Sequence, residues 1–256
     1  MYPVLFEFGS FEIRSYGVIV ALAFLVALWM SSREAERKGL DPKLVQDFAI
    51  YGLVGGIIGA RLYFVLFSEP GYFLQHPWEI FAIWSGGIGI IGSLVGGFIV
   101  AVWFCRPRKI SLLKFGDTLA PGMALGQTAG QFACLLNGDS YGRPTDVPWA
   151  ITYTDPRSLA PLNIPLHPIE IYEMAAYFLV FLVIWKTRTK YPSDGFTFFT
   201  YLAGYGSARF VVDFFRGDPA MFAWEIQAAQ LFGVAMLVAA LIGFFVLRNK
   251  AVRFAR

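Results

Sequence analysis

Two arginines stand where a hydrophobic chain can least accommodate them. Arg209 lies in YLAGYGSARFVVDFFRGDP, with Tyr205 four residues before it, Asp213 four after and Arg216 close behind. On a helix, that spacing puts phenol, guanidinium and carboxylate on one face. A cation beside a phenol in an apolar helix can clamp an anion; the plainer alternative is an Arg209–Asp213 pair that neutralises itself. Arg61 lies in GGIIGARLYF, deep in another apolar run. It must face protein, snorkel to an interface, pair with a carboxylate or bind an anion. A third polar set fills Gly126 to Trp149, GQTAGQFACLLNGDSYGRPTDVPW, where Gln131, Cys134, Asn137, Asp139, Tyr141 and Arg143 interrupt an apolar helix and Gly130, Gly138 and Gly142 punctuate it. A fourth is LHPIEIYEM: His167 precedes Pro168, and Glu170 and Glu173 fall in the first turns of the helix that follows. Carboxylates there suit the helix dipole, and a histidine with a pKa near ~6.5 can accept a proton.

The elements that position these groups are membrane helices. The chain has 256 residues, 57% of them hydrophobic and 15% charged, a composition that excludes an ordinary soluble domain. A net charge of +3 implies neither a nucleic-acid nor an acidic partner. Seven stretches are long enough to span a bilayer: Tyr16 to Ser31, Leu44 to Phe67, Trp84 to Phe104, Phe115 to Leu136, Ile169 to Trp185, Gly195 to Val212, and Trp224 to Leu247. Lys and Arg collect after the first, third, fifth and seventh, as Arg33, Arg37, Lys38 and Lys43, then Arg106, Arg108, Lys109 and Lys114, then Lys186, Arg188 and Lys190, then Arg248, Lys250, Arg253 and Arg256. Cytoplasmic loops carry that excess, so the N-terminus is expected outside and the C-terminus in the cytoplasm. The expected fold is an all-α polytopic membrane protein, a single transmembrane domain over residues 1–256 with an extracytoplasmic loop region at 137–167. The N-terminal residues before Tyr16 lack the basic start of a signal peptide and read as a lateral or interfacial segment.

Cys105 and Cys134 are expected at opposite membrane faces, so neither a disulfide nor a CxxC metal site is available. The glycines of WSGGIGIIGSLVGG, from Trp84, are small residues for close helix packing rather than a phosphate loop. Ser85, Gly86 and Gly87 differ, because a helix start there would offer free N–H groups to an anion. The seventh span reads as an apolar wall, with Gln227 and Gln230 near its start. Tyr16, Arg61, Ser85, Asn137, Asp139, His167 and Arg209 are all expected in the outer half of the bilayer, as a site for an anionic lipid headgroup would need.

The Tyr16-Gly17 pair, GARLYFVLF, WSGG, the Asn137-Gly138 to Gly142 signature, LHPIEIYE and GYGSARFVVDFFR together resemble the bacterial prolipoprotein diacylglyceryl transferases over nearly the whole chain. The resemblance implies a multi-pass inner-membrane enzyme, its site toward the extracytoplasmic leaflet, that moves a diacylglyceryl group from phosphatidylglycerol to the lipobox cysteine thiol of a prolipoprotein and releases glycerol phosphate. Its partners would be phosphatidylglycerol, prolipoprotein lipobox segments and membrane lipid, with no nucleic acid, no cofactor and no metal. It implies catalytic roles for Arg209, Tyr16, Asn137, His167 and Asp139. Phosphatidylglycerol would be bound by Arg61, Ser85, Gly86, Gln131, Gly138, Gly142, Arg143, Glu170, Glu173 and Tyr205. Many members of that family have an arginine at the place of Gln131 and a histidine at the place of Ile91. Arg143 or Arg61 would then supply the cation, and His167 or Asp139 the proton acceptor. The rival reading is a phospholipid-binding protein that keeps the fold and the clamp without the chemistry.

Overall fold

The computed structural model describes residues 3–8, 11–87, 89–191, 193–217 and 228–254. Helices dominate: α1 (Ser15–Arg37), α2 (Pro42–Tyr63), α3 (Pro70–Gln75), α4 (Ile90–Cys105), α5 (Leu112–Asn137), α6 (Ile169–Thr187), α7 (Phe196–Val212) and α8 (Ala228–Phe254). The long ones occupy the hydropathic stretches, because continuous apolar sequence without turn residues forms helices that satisfy their own backbone polar groups. Ser15–Arg37, Pro42–Ser68 and Ala229–Asn249 are long and apolar enough to cross a membrane, and Ile91–Cys105 is a shorter apolar helix. Large side chains such as Leu25, Phe98, Ile99, Leu241 and Phe245 are exposed, the reverse of a water-soluble surface. The chain is a mostly helical membrane protein. Trp224 and Gln227, assigned to the seventh span, lie outside the described residues.

The structure divides into two compact units, one of Met1–Glu34 with Gly116–Arg256 and the other of Ala35–Phe115. In the second unit α2 starts at a built cap: Asp41 accepts from the Lys43 amide at 2.9 Å and Pro42 takes the first helical position. The close helix packing expected of the glycines is found between α2 and α4. A Cβ on Gly59 would strike the Gly92 carbonyl, and one on Gly92 would strike the Gly59 carbonyl, so only glycine lets these backbones touch. The third span, expected from Trp84, begins as an α-helix only at Ile90. Ile83–Ser85 is instead a 3-10 turn, and Gly86 (φ 86°) and Gly87 (φ 72°) break the chain with left-handed backbone.

The first unit holds the remaining polar sets. Its core includes Ala120, Ala124, Val180, Ile184 and Tyr201, from α5, α6 and α7. Fully buried Asp117 of α5 caps α7, accepting from the Gly195 and Phe198 amides at 2.8 Å each. Buried Glu34 pairs with Arg188 at 3.2 Å. The N-terminal segment departs from the all-helical expectation: β1 (Val4–Phe8) and β2 (Phe11–Arg14) form an antiparallel hairpin. The long loop after α5 also carries structure, with β3 (Ile151–Thr152) paired to β4 (Pro165–Leu166) over buried Tyr153, Ala160 and Leu166. Arg157 links that loop to the hairpin by bonding both Asp155 and Glu7.

Candidate active site

The last turn of α7 and the first turns of α6 bring four charges together. Arg209, in the last turn of α7, donates to Glu173 of α6. Its other nitrogen lies 3.8 Å from Asp213, and Arg216 lies 3.7 Å from Glu173 and 3.8 Å from Asp213. Glu173 and Asp213 are buried, and each arginine keeps a small exposed fraction, 17% for Arg209 and 15% for Arg216. The expected Arg209–Asp213 pair is therefore one edge of a two-plus-two cluster. Its net charge is zero, which lets it persist in an apolar bundle. The Arg209–Asp213, Arg216–Glu173 and Arg216–Asp213 separations each exceed hydrogen-bond length, so an anion carrying several acceptors could tighten the guanidiniums further. Beside it, Tyr205 stacks on Tyr177 (5.3 Å between ring centroids) and on Tyr201 (5.9 Å), whose hydroxyl donates to Gln127 Oε1 at 3.0 Å.

The end of α5 supplies the second part. Asn137 closes the helix, and Gly138 (φ 69°) follows it as a left-handed cap whose amide reaches the Cys134 carbonyl at 2.7 Å. A side chain on Gly138 would strike Ser158 and Tyr153, and one on Gly142 would strike the His167 carbonyl. Both glycines are thus required by protein packing. Gly142 bridges to Arg216, the Arg143 amide donates to Phe215 O at 2.8 Å, and the His167 amide donates to Arg143 O at 3.0 Å. These bonds lock the loop against the arginine-bearing end of α7. The Arg143 side chain is exposed and donates through Nε to Arg216 O at 3.0 Å. Asp139 is a close electrostatic neighbour of both Cys134 and Tyr16, and Tyr16 is 38% exposed. The Gln131 Oε1 atom is buried with no hydrogen-bond partner among the described residues.

The start of α6 supplies the third part. His167 Nδ1 lies 3.2 Å from the Tyr172 hydroxyl, whose oxygen also accepts from Trp149 Nε1 at 2.7 Å. One ring nitrogen of His167 is thereby tied to the Tyr172–Trp149 pair. Glu170 is fully buried, and Oε1 accepts from Tyr153 at 2.7 Å. Burial, reinforced by this carboxylate, holds the Tyr153 phenol well above its ordinary range, so it serves as a neutral donor.

Arg61 and Gly86 belong to the second unit, as does Ser85, whose side chain lies outside the described residues. Arg61 donates to four backbone carbonyls: Nε to Ile80 (2.9 Å), one terminal nitrogen to Gly86 (2.7 Å) and Gly87 (3.0 Å), and the other to Glu79. Its guanidinium also sits 5.0 Å over the Phe73 ring. Gly86 and Gly87 therefore turn carbonyls toward Arg61 instead of opening a helix with free N–H groups.

A family model described as prolipoprotein diacylglyceryl transferase matches residues 3–246. The chain belongs to the prolipoprotein diacylglyceryl transferase family. It is 33% identical over 260 residues to the phosphatidylglycerol–prolipoprotein diacylglyceryl transferase of Bordetella avium, covering 98% of this chain and 96% of that protein. The like-named protein of Clostridium tetani is 33% identical over 96% of both chains. That of Geobacter sulfurreducens is 34% identical over 92% of this chain and 91% of its own.

In this transferase-family chain the first unit joins Tyr16, Asp139, Glu170, Glu173, Tyr205 and Arg209 into a connected polar region. Sequence reasoning passed over Tyr153, Tyr177 and Asp117. Tyr177 could have been found one turn beyond Glu173 on α6. Tyr153 and Asp117 carry no such signal, since their partners lie 17 and 78 residues away.

Proposed function

We propose that this chain transfers a diacylglyceryl group from phosphatidylglycerol to the cysteine thiol of prolipoproteins, the activity its relatives' names describe. The observation that supports it most is whole-length similarity to those enzymes combined with a buried two-arginine cluster at the end of α7. The membrane would be the bacterial inner membrane, crossed by seven helices in a single domain, with the N-terminus and the 137–167 loop region outside. The basic residues after the first, third, fifth and seventh apolar stretches support that orientation.

In the reaction the acceptor thiolate attacks the glycerol carbon that carries the phosphodiester. A C–S bond forms, the C–O bond to phosphate breaks, and glycerol phosphate leaves with the electron pair. Arg209 and Arg216 bind the phosphate and stabilise the charge that grows on its leaving oxygen. Glu173 and Asp213 hold both guanidiniums in place before the lipid arrives. Tyr16, Asn137, Asp139 and Tyr205 shape the headgroup space, Gln131 lines it, and exposed Arg143 meets the phosphate at the rim. Gly138 and Gly142 let the loop close on His167, which positions Tyr172 and Trp149. Arg61, with Ser85 and Gly86, fixes the connection between α2 and α4.

Purified protein incubated with labelled phosphatidylglycerol and a lipobox peptide tests the reading. Labelled thioether product is the expected result. Lipid binding without product would leave a phospholipid-binding protein of the same fold.

A further inference from the structure

The charge cluster leaves one buried carboxylate outside it. Glu173 is committed to Arg209 and Arg216, and Asp213 lies against the same two arginines. Glu170, one helical turn from Glu173, has no cation among the described residues. Its Oε1 is held by Tyr153, while its Oε2 is buried with no hydrogen-bond partner. A buried polar atom left unsatisfied is costly, which makes Oε2 a position to explain. The groups around it are Tyr153 from the loop, Glu173 from its own helix, and Asp139 and Cys134 from the end of α5 and the turn after it. Tyr16 of α1 interacts electrostatically with the same Cys134 and Asp139.

Two other groups could move a proton here, and both have partners. His167 Nδ1 lies 3.2 Å from the Tyr172 hydroxyl. Asp139 interacts with Cys134 and Tyr16. Glu170 is fixed through one oxygen by Tyr153, and its other oxygen has no hydrogen-bond partner among the described residues.

We propose that Glu170 accepts the proton of the acceptor thiol at Oε2, directly or across one water, and that Tyr153 is the residue that positions it. This rests on the transferase reading. The S–H bond breaks toward Oε2, and the thiolate forms its C–S bond as the C–O bond to phosphate breaks. The proton then passes to the departing glycerol phosphate, and Glu170 returns to its starting state. The chemistry thus needs no histidine at the place of Ile91.

The test is transfer by the full-length protein in phosphatidylglycerol vesicles, measured against pH, with phosphatidylglycerol retention and Tm recorded for each variant. Glu170→Gln keeps a carbonyl oxygen for Tyr153, so retention and Tm stay at wild-type values. Transfer at neutral pH is expected to fall at least ~100-fold, the usual scale for a lost general base. The residual rate should climb with pH up to the thiol's own pKa of about 8.5, whereas the wild-type rate levels off at lower pH. Tyr153→Phe is expected to lower the rate less and to leave the shape of the pH profile intact. Transfer by Glu170→Gln within ~3-fold of wild type, or a pH profile parallel to wild type, overturns the assignment. No transfer by wild type overturns the transferase reading itself, and this assignment with it.

Discussion

Arg61 and Arg209 present the same problem to the sequence, a guanidinium inside an apolar helix, and the two units solve it in opposite ways. Arg61 is wrapped by four main-chain carbonyls and a phenyl ring, so four of its five N–H donors are spent in fixing the chain from Glu79 to Gly87. Arg209 is held by side-chain carboxylates, only one of them at hydrogen-bond distance, with Arg216 facing the same acids. Carbonyl dipoles on most of a guanidinium's donors make a structural joint. A loose, neutral cluster of movable side chains makes a site that an anion can reorganise. A buried arginine is therefore read by what already occupies its donors.

The largest expected effect sets the two arginines against each other. In Arg209→Lys the charge remains but the planar fork is lost, so transfer should fall roughly 100-fold with a modest change in Tm. In Arg61→Lys an ammonium has too few donors for four carbonyls, so the loss should appear in stability, at about 1–3 kcal/mol, with transfer per folded molecule little changed. Transfer assays on both variants, normalised to folded protein, would break the comparison if the two phenotypes were the same.

Gly87→Ala sharpens the structural side. At φ 72° an L-residue is strained, and its Cβ would meet Phe64 and the Arg61 guanidinium. The expected cost is ~1–2 kcal/mol from the backbone alone, visible in thermal unfolding, with phosphatidylglycerol binding intact.

The smallest effect belongs to a charged contact at the surface. Hydrogen bonds from Arg157 hold the Asp155 carboxyl down at about 2, below its ordinary value. A lowered carboxylate pKa stabilises the folded form above the unfolded value near ~3.9, and that contribution disappears as pH falls toward the folded value. Amide protection factors in the Val4–Arg14 hairpin, corrected for the intrinsic pH dependence of exchange, should stay constant from neutral pH to about 4 and fall only below it.

Much of this was legible in sequence. Hydropathy located the long helices, since membrane helices need continuous apolar runs, but several ends differ by six or seven residues, as at Arg37 of α1 and Ile90 of α4. The turn spacing of Tyr205, Arg209 and Asp213 forecast one side of the charge cluster. The hairpin was not recognised, although the sequence between Val4–Phe8 and Phe11–Arg14 is the turn-favouring dipeptide Gly9-Ser10, because so short an alternation is hard to tell from an interfacial run. The start of α4 was misplaced because glycine-rich sequence fits both tight helix packing and left-handed turns. Glu173 read as helix-start chemistry, and only the fold reveals it as the counter-ion of two arginines. Tyr153 and Glu170 were invisible as a pair, because loop folding alone brings them together.

The most direct test of the central claim is diacylglyceryl transfer by Arg209→Ala beside the double variant Arg209→Ala, Glu173→Gln. Removing Arg209 leaves its buried carboxylate partner short of charge, a loss of about 3–5 kcal/mol that neutralising Glu173 should largely restore. The predicted result is recovery of Tm in the double variant with transfer still absent, since the phosphate has lost its clamp. Transfer restored together with stability would contradict the account and reduce Arg209 to a structural ion.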